Sequence, residues 1–171
     1  AGRLIASAIE RWGRLDAVVN NAGFVRDRMF VSMAEDEWDR VIRINLKGTF
    51  LCAQAAAKQM IPKKEGRILS IASGRGVAGQ ARASHYAASK AGIIAFSKSL
   101  AAELAPYDIT VNAICPGSVD TDMLKIGMPG GTARMTPDEA APRRRAAPNR
   151  RPHGGSSGDS RSTMRCASTA S

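Results

Sequence analysis

Apolar side chains recur every three or four positions over residues 3–12, where Leu4, Ile5, Ala8, Ile9 and Trp12 share one side of a helix and Gly13 supplies its stop. Leu15 to Asn20 is a short apolar run that closes in Asn-Asn-Ala-Gly, the pattern of a buried strand. Ser32-Met-Ala-Glu35 has the S-x-x-E spacing of a capping box and predicts the start of a long helix running to Met60, halted by Pro62. A second strand is predicted from Gly66 to Ser73, followed by a glycine-rich loop through Gly79. The helical period returns near Ser84 and ends before Pro106, with Ile93, Ile94, Phe96, Ser97, Leu100 and Leu104 on the packed side. Ile109 to Cys115 reads as a third strand, closed by Pro116-Gly117.

Strand, helix, strand, helix, strand is the order of a parallel sheet flanked by helices. Ligands of such sheets sit at the carboxyl ends of the strands. All three strands end in polar or glycine-containing turns, at Asn20–Gly23, Ser73–Gly76 and Pro116–Thr121. Functional positions are therefore expected along that one edge.

Composition narrows the class. Hydrophobic residues make up 44% of the 171, enough for a globular core. Cys52, Cys115 and Cys166 are widely spaced and odd in number, which argues against a disulfide framework and fits a reducing cytoplasm. Cys52 and Cys115 read as small apolar residues of the interior. His85 and His153 are too few and too far apart for a metal centre, so no metal is expected. No apolar stretch is long enough to span a membrane, and the first residues form a helical pattern rather than a signal peptide.

A net charge of +10 raises the question of nucleic acid. Residues 1–126 hold 17 basic and 12 acidic side chains, and residues 127–171 hold 8 and 3, so half of the excess lies in the last quarter of the chain. That stretch lacks aromatic residues among its arginines, which argues against nucleic acid as a partner. A basic-tailed nucleic-acid adaptor on an inactive core stands as the alternative reading, and a non-catalytic remnant as another.

The chemistry concentrates at Tyr86-Ala-Ala-Ser-Lys90. Tyrosine and lysine four apart on a helix lie one turn from each other on the same face. Both ordinarily titrate near ~10, and an ammonium beside a phenol favours the phenolate, so the pair is expected to bring the tyrosine down towards a useful range. Alone, the spacing equally describes a solvated helix surface. Around it stand Ser73 at a strand end, thirteen residues before the tyrosine, and Asn45 within the long helix. Asn20-Asn21-Ala22-Gly23 and Pro116-Gly117-Ser118-Val119-Asp120-Thr121 follow the first and third strands. Read singly, Ser73 could be a strand-end cap, Asn20-Asn21 a turn, and Asn45 a solvated helix position, although asparagine costs helix propensity there.

As a set, in this order and spacing, these residues resemble the short-chain dehydrogenase/reductase family over about residues 1–126, with further agreement to Pro148. The Arg26-Asp27 pair is similar to the 3-oxoacyl-[acyl-carrier-protein] reductase branch. The resemblance implies a truncated Rossmann-like fold, a doubly wound parallel sheet between helices. It also implies an NAD(P)-dependent oxidoreductase that moves a hydride between a nicotinamide cofactor and a carbonyl/alcohol pair.

On this resemblance Tyr86 is the general acid/base, Lys90 lowers its pKa and holds the nicotinamide ribose, and Ser73 bonds the substrate oxygen. Asn45 holds a relay water at a helix kink. Asn20, Ala22 and Gly23 border the adenosine ribose, while Pro116, Gly117, Val119 and Thr121 cup the nicotinamide. His85 is expected at the substrate entrance. A homo-oligomer in the cytoplasm and a small-molecule substrate are implied for the intact enzyme.

Family members carry a Thr-Gly-x-x-x-Gly-x-Gly turn ahead of the first helix read here, and no such turn occurs in these residues. The choice between NAD and NADP is set in that missing segment. Three regions are therefore expected: residues 1–126, a partial catalytic domain; 127–148, a substrate-loop remnant; and 149–171, a disordered basic tail. The tail's residues are compatible with a shifted reading frame, since codons read one base later can spell Thr-Gly-Asp-Pro-Thr-Glu-Val-Ala, similar to the family's text. These 171 residues alone are expected to be inactive or nearly so.

Overall fold

The computed structural model describes residues 1–117. Val119, Thr121 and the regions 127–148 and 149–171 lie outside the described residues.

Helix α1 spans Gly2–Trp12 and stops at Gly13, whose φ of 69° is left-handed and whose N–H bonds the Ile9 carbonyl. Strand β1, Ala17–Asn20, follows. The capping expectation at Ser32 is corrected by the structure. Helix α2 runs Glu35–Val41 from an extended Ala34, and it is the Glu37 carboxylate that accepts from the Ala34 N–H at 3.2 Å. Ser32 closes a 3₁₀ turn, Phe30–Ser32, and its hydroxyl donates to the Met29 carbonyl.

The long helix is real but not uniform. Between α2 and α3, Gly48–Met60, lies a π-helical segment, Ile42–Lys47, with Asn45 inside it. A 3₁₀ turn carrying Pro62 ends α3. Strand β2, Gly66–Ile71, is followed by a short helix α4, Arg75–Ala78, in what the glycines suggest is open loop. Helix α5, Ser84–Leu104, leads through a second proline-bearing turn into β3, Ile109–Ile114.

The strands form one parallel sheet in the order β1-β2-β3, with Asn20 opposite Ser70 and Ser70 opposite Ala113. Side chains alternate across it, so Val18, Ile68 and Val111 face a core completed by Ala53, Ala56 and Met60 of α3 and Leu104 of α5. A second cluster joins Ala72, Ala113 and Cys115 to Ile93 of α5. The reverse face carries Ala17, Val19, Arg67 and Asn112, all exposed. Among the described residues, then, helices cover one face of the sheet, where a doubly wound sheet has helices on both.

Helix α1 differs from expectation in the same region. Ile5 is its buried residue, whereas Leu4 and Trp12 are 67% and 66% exposed. Both border a groove of about 490 Å³ along the free edge of β1.

Candidate active site

Each strand delivers its expected turn to the same edge of the sheet. After β2 the chain passes through Ala72, whose N–H bonds the Ile114 carbonyl, and Gly74, whose N–H bonds the Pro116 carbonyl at 3.2 Å. Ser73 and Pro116 are thereby set side by side. The Ser73 hydroxyl accepts from the Arg75 N–H at 3.2 Å, a local bond in the turn that follows β2. It also bears on the Tyr86 phenol, whose pKa it pulls down.

Tyr86 and Lys90 sit in the first two turns of α5 and are 8% and 4% exposed. The Lys90 Nζ stands 5.7 Å from the centre of the Tyr86 ring. It donates to the Ile71 carbonyl at 2.6 Å, one of the three donors an ammonium carries. Burial brings Lys90 down to about 8.

The tyrosine departs from expectation. Burial raises its phenol above the ordinary value, outweighing the pull of the Ser73 hydrogen bond and the Arg75 charge. Lys90, itself brought down by burial, gives one of its protons to the Ile71 carbonyl.

Asn45 is 0% exposed. Its Nδ2 donates to the Phe24 carbonyl at 3.0 Å and to Ser89 Oγ at 3.1 Å, and its Oδ1 accepts from the Phe24 N–H at 3.0 Å. The Ser89 hydroxyl in turn donates to the Tyr86 carbonyl at 2.7 Å. One buried amide therefore binds the turn after β1 to the helix that carries Tyr86. Thr49 donates to the Asn45 carbonyl at 2.7 Å, in the stretch where the helix widens.

Gly23 is held against this assembly. A Cβ placed there would meet Asn45 Oδ1 at 3.1 Å and Lys90 Nζ at 3.5 Å. Asn20 turns the other way: its side chain is buried and lies 3.4 Å from Ser70 Oγ across the sheet. Ala22 is exposed beside it, and Gly117 is exposed beyond Pro116. The groove at the β1 edge touches Asn20, Asn21 and Ala22 but not Ser73, Tyr86 or Lys90.

His85 is corrected outright. It is 0% exposed in the first turn of α5, not at an entrance. Burial lowers its pKa, countered by the Arg26 backbone and the charges of Asp27 and Glu37. Cys52 is half-buried and Cys115 buried. Among the described residues, no cluster of His, Cys, Asp or Glu is placed to hold a metal.

Four participants were not foreseen. Ser89 sits between two residues of the motif, and nothing in the spacing marks it off from the alanines beside it. Phe24 contributes backbone, which side-chain patterns do not show. Arg75, two places past Ser73, reads from sequence as one more loop charge, and its neighbour Asp27 as half of a surface pair.

A parallel sheet with a serine, a tyrosine, a lysine and a kink asparagine gathered at one edge defines a class, and this chain belongs to the short chain dehydrogenase family, whose model matches residues 1–127. Among curated proteins it is 44% identical over 121 residues to the 3-oxoacyl-[acyl-carrier-protein] reductase of Synechocystis sp., covering 71% of this chain and 49% of that protein. It is 45% identical over 120 residues to the reductase FabG of Staphylococcus aureus and 42% identical to that of Thermotoga maritima, in each case over 70% of this chain and 49% of the relative. The chain spans about half the length of the curated relatives it matches.

Proposed function

We propose that this chain is the catalytic half of an NAD(P)-dependent oxidoreductase that interconverts a carbonyl and an alcohol. The observation that carries the reading is the meeting of Ser73, Tyr86 and Lys90 at one edge of the sheet, on a helix tied by Asn45 to the Gly23–Phe24 turn. The donor set suits the ribose end of a nicotinamide cofactor: an ammonium with donors beyond the one given to Ile71, beside a glycine where a Cβ would crowd Asn45. When bound, that cofactor supplies or takes the hydride at the carbonyl carbon.

The protein's own part is the proton. Tyr86 donates to the carbonyl oxygen as the alcohol forms, and takes a proton back in the reverse direction. Ser73 hydrogen-bonds the same oxygen and stabilises the charge that grows on it. A phenol raised by burial remains protonated through neutral pH, which suits it to the reductive direction. Lys90 would hold the ribose hydroxyls with the donors left free by Ile71, and its pKa of about 8 lets it hold or release a proton near neutral pH. Ala22 would border the adenosine side, and Pro116 and Gly117 the nicotinamide side.

The relatives' printed activity makes a 3-oxoacyl thioester the first substrate to try, against either NADH or NADPH. The Gly-rich turn that receives the pyrophosphate is not in these residues, so the 171-residue polypeptide by itself is expected to show no turnover. Joined behind the strand–turn–helix of the Synechocystis reductase, it should oxidise reduced cofactor in a ketone-dependent way, followed by nicotinamide absorbance. A folded chimera that binds cofactor yet consumes none with any ketone contradicts the reading.

A further inference from the structure

Gly76 is the residue through which the serine-bearing turn rests on α5. Its N–H donates to the Ser73 carbonyl at 3.0 Å. On its other side the main chain lies directly on the helix. A Cβ built at Gly76 would stand 2.8 Å from the Ala91 backbone nitrogen and the Lys90 carbonyl carbon, and 2.9 Å from Lys90 Cβ. The two nearest of these atoms are backbone, so no side-chain rotation makes room for it. Gly74, two residues earlier, lacks this constraint: a Cβ there would lie 3.7 Å from the Pro116 carbonyl oxygen, an ordinary contact.

The same lysine meets the turn a second time. Lys90 Nζ donates to the Ile71 carbonyl at 2.6 Å, at the end of β2. Residues 71–76 are therefore fastened along Lys90 at both ends, its head at Ile71 and its root at Gly76, with Ser73 between them. The Ser73 hydroxyl is held in turn by the Arg75 N–H, one residue before Gly76. Helix α4 spans only Arg75–Ala78, and a helix of one turn does not hold itself in place. What locates it is the surface it lies on, the main chain of α5 at Lys90 and Ala91.

We propose that Gly76 is a positioning residue, whose close approach to the Lys90 main chain sets the Ser73 hydroxyl against the Tyr86 phenol. The inference deepens the reading of Ser73 and Tyr86 as partners on one substrate oxygen, and rests on that reading for its meaning in turnover. A methyl group at position 76 would lift α4 from α5 and carry Ser73 with it through the bond to its carbonyl. Tyr86 and Lys90 would stay in place on their own helix.

Tyr107 is the one other tyrosine, so a Tyr107→Phe background labelled at tyrosine Cζ reports Tyr86 alone by NMR. Ser73 pulls the Tyr86 phenol down, so Ser73→Ala in the 171-residue chain should raise the Tyr86 midpoint. Gly76→Ala should raise it too, each by about half a pH unit, roughly a threefold loss of acidity. The double variant should go no further than either single one, because both remove the same contact. Gly74→Ala should leave the midpoint unmoved. Lys90 Nζ and the Arg75 guanidinium, 5.7 and 5.8 Å from the centre of the ring, are kept in every variant. If Gly76→Ala fails to fold by circular dichroism, Val77→Pro takes its place with the same expectation. It removes the bond from the Val77 N–H to the Gly74 carbonyl at a largely exposed position, with no bulk added against α5. An unmoved midpoint in the folded variant, a shift that adds to that of Ser73→Ala, or an equal shift in Gly74→Ala overturns the proposal. The readout needs no turnover, so its failure is separate from a failure of the hydride-transfer reading.

Discussion

At Asn45 both polar atoms of the side-chain amide are used, against Phe24 and Ser89, in full burial. Asn45→Ala would leave the Phe24 N–H and carbonyl and the Ser89 hydroxyl to find new partners. A loss of roughly 2–4 kcal/mol is expected in urea unfolding; a loss under ~0.5 kcal/mol would show that the turn is held some other way. Lys90 gives a different signature. Its folded pKa of about 8 lies below the 10.5 of the free side chain, so between those values the unfolded chain binds more protons. Stability should therefore rise with pH from about 8 towards 10.5, with the full burial penalty present below 8. The total is on the order of 3 kcal/mol. Comparing wild type with Lys90→Met at pH 7 and 9.5 isolates it from the other groups; equal pH slopes for the two proteins would refute it.

Elements show what could be read from the chain and what could not. Apolar periodicity located the strands and helices because the interior imposes it: Ile68 and Val111 fall inward by the strand period, and Ile93 and Leu104 by the helical one. Chemistry-bearing side chains were legible for the same reason, since Ser73 ends a strand and Tyr86 and Lys90 share a helix face. Helix ends were harder. Ser32 and Glu35 have capping spacing, yet the chain turns once more before the helix, and Glu37 does the capping. The widened turn at Ile42–Lys47 has no periodic signature, only an asparagine out of place. Solvation was the least legible property. Nothing in the residue types shows that burial would raise the Tyr86 phenol, because that depends on how the chain packs around its ring.

Taken as a whole, the described molecule is one parallel sheet with helices on one face, an exposed reverse face, and a groove along the edge of β1. The polar ends of its strands converge on Ser73, Tyr86 and Lys90, the proposed proton-handling half of the site, while the Gly-rich phosphate turn is not among these residues. The matched stretch spans about half the length of its curated relatives. The claim on which everything else depends is that the Tyr86 hydroxyl is the proton donor to a substrate oxygen. A single-turnover comparison of Tyr86→Phe with its parent, in the chimera with the Synechocystis front half, tests this most directly. Loss of about 10²–10⁴-fold in the reduction rate with unchanged cofactor affinity is the expected result; a Tyr86→Phe variant that reduces its ketone at the parent rate would contradict it.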